Sequence, residues 1–188
     1  MDTATTSERE IKLRFDSVEE ARAAVLAAGG TPLYGRRLQD DSLLDTEDES
    51  LRRRRCVLRV RVENGKSRIT FKGPVQDSPM KLRDEYETLV GDGVLLLGIF
   101  EELGYHVWFR YEKYREEFSH EDVTVAVDET PVGVFVEIEG SESGITAMAA
   151  AMGRSSADYI LDSYRGLFLQ RRAALGLAGS DMVFDSPA

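Results

Sequence analysis

The sequence predicts an α+β protein: an eight-stranded antiparallel β-barrel, a tunnel with a charged interior, covered outside by helices. Three observations predict it. Eight short segments alternate apolar and polar residues with the period of a strand. Charges of both signs sit on the polar face of nearly every segment, opposite a strongly apolar face. About four helical stretches lie between and after the strands, available to cover the apolar side. The polar faces must then look inward, and eight strands close into a barrel just wide enough for side chains or one small ligand.

The elements follow in order. Residues 8–15 alternate strictly, with Glu8, Glu10, Lys12 and Arg14 on one face and Ile11, Leu13 and Phe15 on the other. Ser17 with Glu20 reads as a capping box, an Ala-rich helix follows, and Gly29-Gly30 stops it. Residues 39–46 read as a second strand, followed by an acidic and then arginine-rich loop through Arg55. Leu58, Val60 and Val62 then oppose Arg59, Arg61 and Glu63, and Asn64-Gly65 is a hairpin turn. Arg68, Thr70 and Lys72 oppose Ile69 and Phe71 until Gly73-Pro74 ends the strand. Arg83, Glu85 and Glu87 share one face of a fifth strand. Residues 94–103 predict a helix closed by Gly104. Residues 106–118 predict a long strand with Lys113, Arg115 and Glu117 on one face. Strands at 123–128 and 134–139 complete the set. Residues 144–152 predict a helix, and Ser155 or Ser156 caps another running to about Leu175. One catalytic domain, residues 1–175, accounts for all of this, and residues 176–188 read as a disordered, frayed tail.

Composition narrows the function. With 188 residues, 42% hydrophobic and 31% charged, the chain is an ordinary globular one. The start, MDTATTSERE, has no basic and apolar leader, and the longest apolar run, residues 94–100, is too short for a bilayer. A lone Cys56 makes no internal disulfide, which suits a reducing, cytoplasmic setting. Apolar-out and polar-in is also the pattern of an outer-membrane barrel, but most of these strands are shorter than the 9–11 residues such a barrel needs. The expectation is no membrane partner. The net charge of −10 argues against nucleic acid as a partner. Yet residues 52–83 hold 11 Lys and Arg against Glu63 and Asp77, +9 in a chain that is −19 elsewhere. Such asymmetry fits a site for a small anion inside an acidic protein. A homodimer is left open.

Carboxylates at i and i+2 on one strand face converge on a hard divalent cation such as magnesium or manganese. Glu8/Glu10, Glu85/Glu87 and Glu137/Glu139 are three such pairs. That much negative charge needs balancing, and Lys12, Arg59, Arg61, Lys72, Arg83, Lys113 and Arg115 stand on the same strand faces. Metal plus a ring of bases is what a polyphosphate demands. His106 and His120 lack ligand spacing. Trp108 and Phe109 read as barrel packing, and Tyr164 leaves a place at the tunnel end and a helix-capping role equally open.

The ordered motifs resemble the CYTH proteins, also called triphosphate tunnel metalloenzymes. Glu8-Arg9-Glu10-Ile11-Lys12 is similar to their ExExK opening. Gln39, Asp41, Asp45 and Thr46 are similar to the second-strand signature, Leu58-Arg59-Val60-Arg61 to LRxR, Lys72-Gly73-Pro74 to xxKGP, and Arg83, Glu85 and Glu87 to RxExE. Lys113 and Arg115, Asp128, then Glu137 and Glu139 complete the set, with Ser163-Tyr164 near the end; the resemblance spans about residues 8–170. Leu43-Leu44 departs from it, standing where the family carries an aromatic. The resemblance implies an eight-stranded tunnel, with Mg2+ or Mn2+ on Glu8, Glu10, Glu137 and Glu139 and with Glu85 and Glu87 near a second ion or its waters. It implies that the seven bases hold phosphoryl oxygens and that Asp128 orients some of them.

Three functions compete. A triphosphatase needs the metal, a water and the basic ring, with Glu8, Glu10 and Lys12 at the chemistry and Lys12 assisting proton transfer. A class IV adenylyl cyclase, forming cyclic AMP and pyrophosphate from ATP, also needs a pocket for adenosine, and no adenine-reading set is visible. A non-catalytic polyphosphate-binding module needs no complete metal site. The expectation is a hydrolase preferring inorganic triphosphate to ATP.

Overall fold

In a computed structural model, which describes residues 6–185, the eight strands close on themselves in the order β1-β5-β4-β3-β2-β6-β7-β8, every pair antiparallel. They are β1 (Thr6–Phe15), β2 (Thr31–Thr46), β3 (Val57–Glu63), β4 (Lys66–Lys72), β5 (Lys81–Val90), β6 (Tyr105–His120), β7 (Val123–Thr130) and β8 (Gly133–Gly140). Alternation fixes the register, because a slip of one residue would turn the charged row outward and the apolar row inward.

The outer wall is apolar and carries the helices α1 (Val18–Ala27), α3 (Gly93–Glu102) and α4 (Glu142–Ala151). Ile11, Leu13, Val125, Val136 and Ile138 from the strands pack with Ala21 and Val25 of α1 and with Ile145 and Met148 of α4, all nearly sealed from solvent. Leu44, Leu58 and Val60 pack with Leu51 of α2 (Ser50–Arg53) and meet Leu96, Leu97 and Phe100 of α3. Among the described residues no helix is long and apolar enough to cross a membrane.

The departures from expectation have local causes. β2 starts at Thr31, eight residues earlier than its alternation shows, because Pro32 and Gly35 spoil the pattern while register shifts keep the strand paired with β6. The Ser17 hydroxyl does accept from the Glu20 N–H, but the Glu20 carboxylate takes the Asp16 N–H instead of closing a box with Ser17. A second C-terminal helix from Ser155 does not form. Ser156–Asp158 is one 3-10 turn, Ile160 is drawn into a two-way backbone bridge with Lys12, and α5 (Tyr164–Arg171) starts afresh with Ser163 as its cap. The tail expected to fray from residue 176 is ordered as far as residue 185. Met182 is fully buried and bonds the backbone of Arg110 and Glu112, and Phe184 lies against Tyr114. Composition had hidden this, since the few apolar residues that anchor the segment, Leu177, Met182 and Phe184, lie among mostly small and polar ones.

Candidate active site

The bore of the barrel is one cavity of about 1080 Å³, lined mainly by charged side chains. Every residue expected to hold metal or phosphate lines it, and Asp128, expected to support them, lies directly behind the wall bases. Two walls of opposite design face each other.

The first wall is carboxylate-rich. Lys72 Nζ lies 2.6 and 2.7 Å from the two Glu8 oxygens and 2.9 Å from Glu85. Lys12 Nζ spans Glu10 at 3.1 Å and Glu137 at 3.0 Å, and Lys81 also binds Glu10. Glu139 faces the bore without a salt bridge among the described residues. Burial, with Glu10 and Glu85 nearby, lifts the Glu8 carboxyl to about 7 in spite of Lys72. Burial and the Glu8 carboxylate likewise lift Glu139 to about 7, although its side chain stays wetted through the bore. Burial also opposes charge on Glu10, but Lys12 and Lys81 hold it far below the usual carboxylate range. Lys12, against its own burial, is pushed above the usual lysine range by Glu10 and Glu137.

The second wall is a set of guanidinium groups braced from behind. Asp41, fully buried, takes a two-point bond from Arg61 at 2.8 and 3.2 Å and lies 3.4 Å from Arg59. Asp128, also fully buried, takes two bonds from Arg115 at 2.7 and 2.5 Å, one from Lys113 at 3.0 Å and one from the Tyr164 hydroxyl at 2.5 Å. Both aspartates lie below the usual range, since these cations outweigh burial. Lys113, crowded by burial and by Arg115, falls to about 8. Glu137 sits at the seam, paired with Lys12 and Arg115, its carboxyl driven well down by Lys113 and Lys12 against burial. Arg83 has a buried Nε with no partner, facing the bore.

One expected grouping is divided. Glu85 joins Glu8 through Lys72, whereas Glu87 turns away to Arg68 and Thr70, at 2.6 and 2.9 Å. Arg14 leaves the row as well and is exposed. Asp41, named only as part of the second-strand signature, braces the arginines from behind, and Tyr164, left open between two places, binds Asp128; Lys81 on Glu10 and Arg37, paired with Glu63 and Glu117, were missed. Parity would have found Lys81, two residues before Arg83 on one strand face. Trp108 lines the cavity, while Phe109 is buried beneath α5 with Tyr164, Leu167 and Phe168.

The donors suit a hard divalent cation, being carboxylate oxygens only, and the upward shifts of Glu8 and Glu139 mark a negative potential that a cation would relieve. Among the described residues no three such ligands are already gathered around one point. Lysine ammonium groups stand between the carboxylates instead.

The closed antiparallel barrel with a charge-lined bore defines the chain as a β-tunnel protein. The sequence profile of the CYTH domain matches residues 6–164. A Methanocaldococcus jannaschii protein named as a candidate adenylate cyclase is 31% identical over 139 residues, 73% of this chain and 79% of its own length. A solved structure from Vibrio parahaemolyticus, also named as a candidate adenylate cyclase, superposes with a TM-score of 0.76 at 20% identity, over 88% of this chain and 99% of its own. Another from Hippeastrum, described as having a dominant triphosphatase activity, gives a TM-score of 0.66 at 16% identity, over 87% and 95% of the two chains. The chain belongs to the CYTH family.

Proposed function

We propose that this chain hydrolyses a triphosphate, inorganic triphosphate before ATP, with Mg2+ or Mn2+ in the bore. The observation that carries the reading is the opposition of the two walls across one cavity, acids facing braced guanidinium groups. Glu8, Glu10, Glu137 and Glu139, with Glu85 beside them, would hold the ion. A divalent cation there neutralises phosphoryl oxygens and makes a nearby water more acidic.

The protein's own groups do the rest. Arg59, Arg61, Lys72, Lys113 and Arg115 are preset to grip equatorial oxygens, so little reorganisation is needed as charge develops. Arg83, with no ion pair among the described residues, is free to take an oxygen without breaking a bond. Lys12 keeps its proton, raised by two carboxylates, so any help it gives to proton transfer would come from a fixed positive charge or a donated proton. Asp41, Asp128 and Tyr164 orient the bases from behind.

The test is turnover of purified protein on inorganic triphosphate and ATP, with either metal and with excess chelator. Orthophosphate release, higher kcat/KM on inorganic triphosphate and silence in chelator are expected. Full turnover in chelator would sink the metal assignment. The cyclase reading draws on the name of the M. jannaschii relative and on Leu43, Val57 and Trp108, which give one part of the bore an apolar lining. Cyclic AMP and pyrophosphate as the main products from ATP would establish it.

A further inference from the structure

The four consecutive arginines, Arg52 to Arg55, have no part in the two walls, yet Arg52 and Arg55 line the same cavity. They reach it from a tight α2 loop whose flanks, Glu49 and Arg55, both have left-handed backbone, each at φ +58. Such a conformation is costly for residues with a Cβ and persists only where surrounding contacts enforce it. Buried Asp45 supplies the enforcement, accepting the N–H groups of Leu51 and Arg52 at 2.9 and 3.0 Å. The loop is thus built to hold its arginines in place.

From α5, Arg165 comes to the same spot. The Arg52 and Arg165 guanidinium groups lie 4.4 and 4.8 Å from the centre of the Trp108 ring, within cation–π range. Arg52 is anchored by Asp45 and Glu49, but Arg55 and Arg165 have no ion pair among the described residues. The Arg165 guanidinium is destabilised by its burial and by the like charge of Arg52. Elsewhere in the cavity Arg37 is matched with Glu63 and Glu117 and Arg68 with Glu87, while Arg83 at the central site is also without an ion pair among the described residues. Three arginines of the lining therefore stand without an ion pair among the described residues, Arg83 at the central site and Arg55 and Arg165 outside the two walls.

We infer that Arg52 and Arg165, both against Trp108, form with cavity-lining Arg55 a second anion subsite in the bore, which takes a phosphoryl group beyond the three held between the walls. The ligand class is a phosphate chain of more than three units, either free or carried on a nucleoside. The inference rests on the triphosphate reading of the central site. A cavity of about 1080 Å³ leaves room for such an extension, since pockets of roughly 300–1,000 Å³ take whole drug-sized ligands.

The experiment is calorimetric titration of the full chain with Mg2+ present, using methylene-bridged, non-hydrolysable analogues of inorganic triphosphate, inorganic tetraphosphate, ATP and adenosine tetraphosphate to prevent turnover. Wild type should bind each four-phosphate ligand about tenfold more tightly than its three-phosphate counterpart, the scale of one charge-assisted hydrogen bond. A gain with the inorganic chain alone assigns the subsite to free chains, and a gain with the nucleotide alone assigns it to nucleoside-borne ones. Arg165→Ala should erase the gain while changing triphosphate affinity less than about threefold, and Arg55→Gln, on the exposed loop, should reduce it in a protein of unchanged melting temperature. Equal wild-type affinity for three and four phosphates would overturn the subsite alone. Arg165→Ala and Arg55→Gln that weaken both lengths equally would do the same, pointing to a diffuse field. Failure of wild type to bind any of the ligands would overturn the central triphosphate reading and this one with it.

Discussion

The two walls of the bore use the same residue types to opposite ends. Behind the guanidinium wall, Asp41 and Asp128 are fully buried and lowered, each held by two or more cations. On the carboxylate wall, Glu8 and Glu139 are raised to about 7, first by burial and then by neighbouring carboxylates that their cations do not offset. A buried acid saturated with donors is a structural part, and removing it leaves its partners stranded. A buried acid crowded by its own kind is a liability until a cation arrives. The difference separates residues that build the tunnel from residues that wait for its contents.

The sharpest break in that contrast is Asp128→Ala. It strands Lys113, Arg115 and Tyr164, a loss of about 3–5 kcal/mol for an uncompensated buried charge. The melting temperature should fall by about 6–20 °C in a chain of this size; a drop under about 2 °C would deny Asp128 its bracing role. Next comes Arg61→Ala, which should stay folded and lose about 10²-fold in kcat/KM, the usual cost of one donor aimed at developing charge. Wild-type kinetics would mean that Arg61 does not touch substrate.

A smaller effect, of opposite sign, belongs to the carboxylate wall. Glu8 and Glu139 hold protons in the folded chain up to about pH 7, whereas the unfolded chain releases them near 4.5. The folded state then binds more protons between those values, so stability falls as pH rises through that window. Metal-free protein should be more stable at pH 6 than at pH 8, by at most about 1–2 kcal/mol once solvent screening of the exposed Glu139 is allowed for. Lys113, held at about 8, gains stability only above that pH and leaves the window clear. Glu139→Gln should flatten the slope, and a slope of the other sign in metal-free wild type would refute the crowding. Smallest of all is Arg22→Ala on the outer wall, where a half-exposed pair with Glu116 at 3.1 Å contributes at most about 1 kcal/mol. A loss of several kcal/mol, read by chemical denaturation, would erase the distinction between bore and surface.

Alternation made the barrel and its inward charges legible, because a strand's period is 2 and a misplaced charge in the outer core is forbidden. Glu8, Glu10, Lys12, Arg59, Arg61, Lys113 and Arg115 all face the bore for that reason. The pattern does not tell which charges pair. That Glu87 leaves Glu85 for Arg68, or that Tyr164 reaches Asp128, depends on tilt between strands and on where α5 lands. β2 was half hidden because Pro32 and Gly35 are poor strand formers, held there by a long partner in β6. Trp108 was hidden differently: neighbouring Phe109 made both look like core, and only the irregularity between Leu43 and Leu44 in the facing strand separates their fates.

The backbone stitches of Ile160 to Lys12 and of Met182 to β6 set an order of events. Strand β1 leaves the ribosome first, yet its upper half has no partner until residues 134–139 exist, and its bond to Ile160 waits longer still. The nascent chain therefore carries an open sheet edge through most of its synthesis, the condition that invites pairing with a neighbour. The barrel closes only when β8 reaches β1, so loss of the short segment around Ile160 or buried Met182 would cost more than its length suggests.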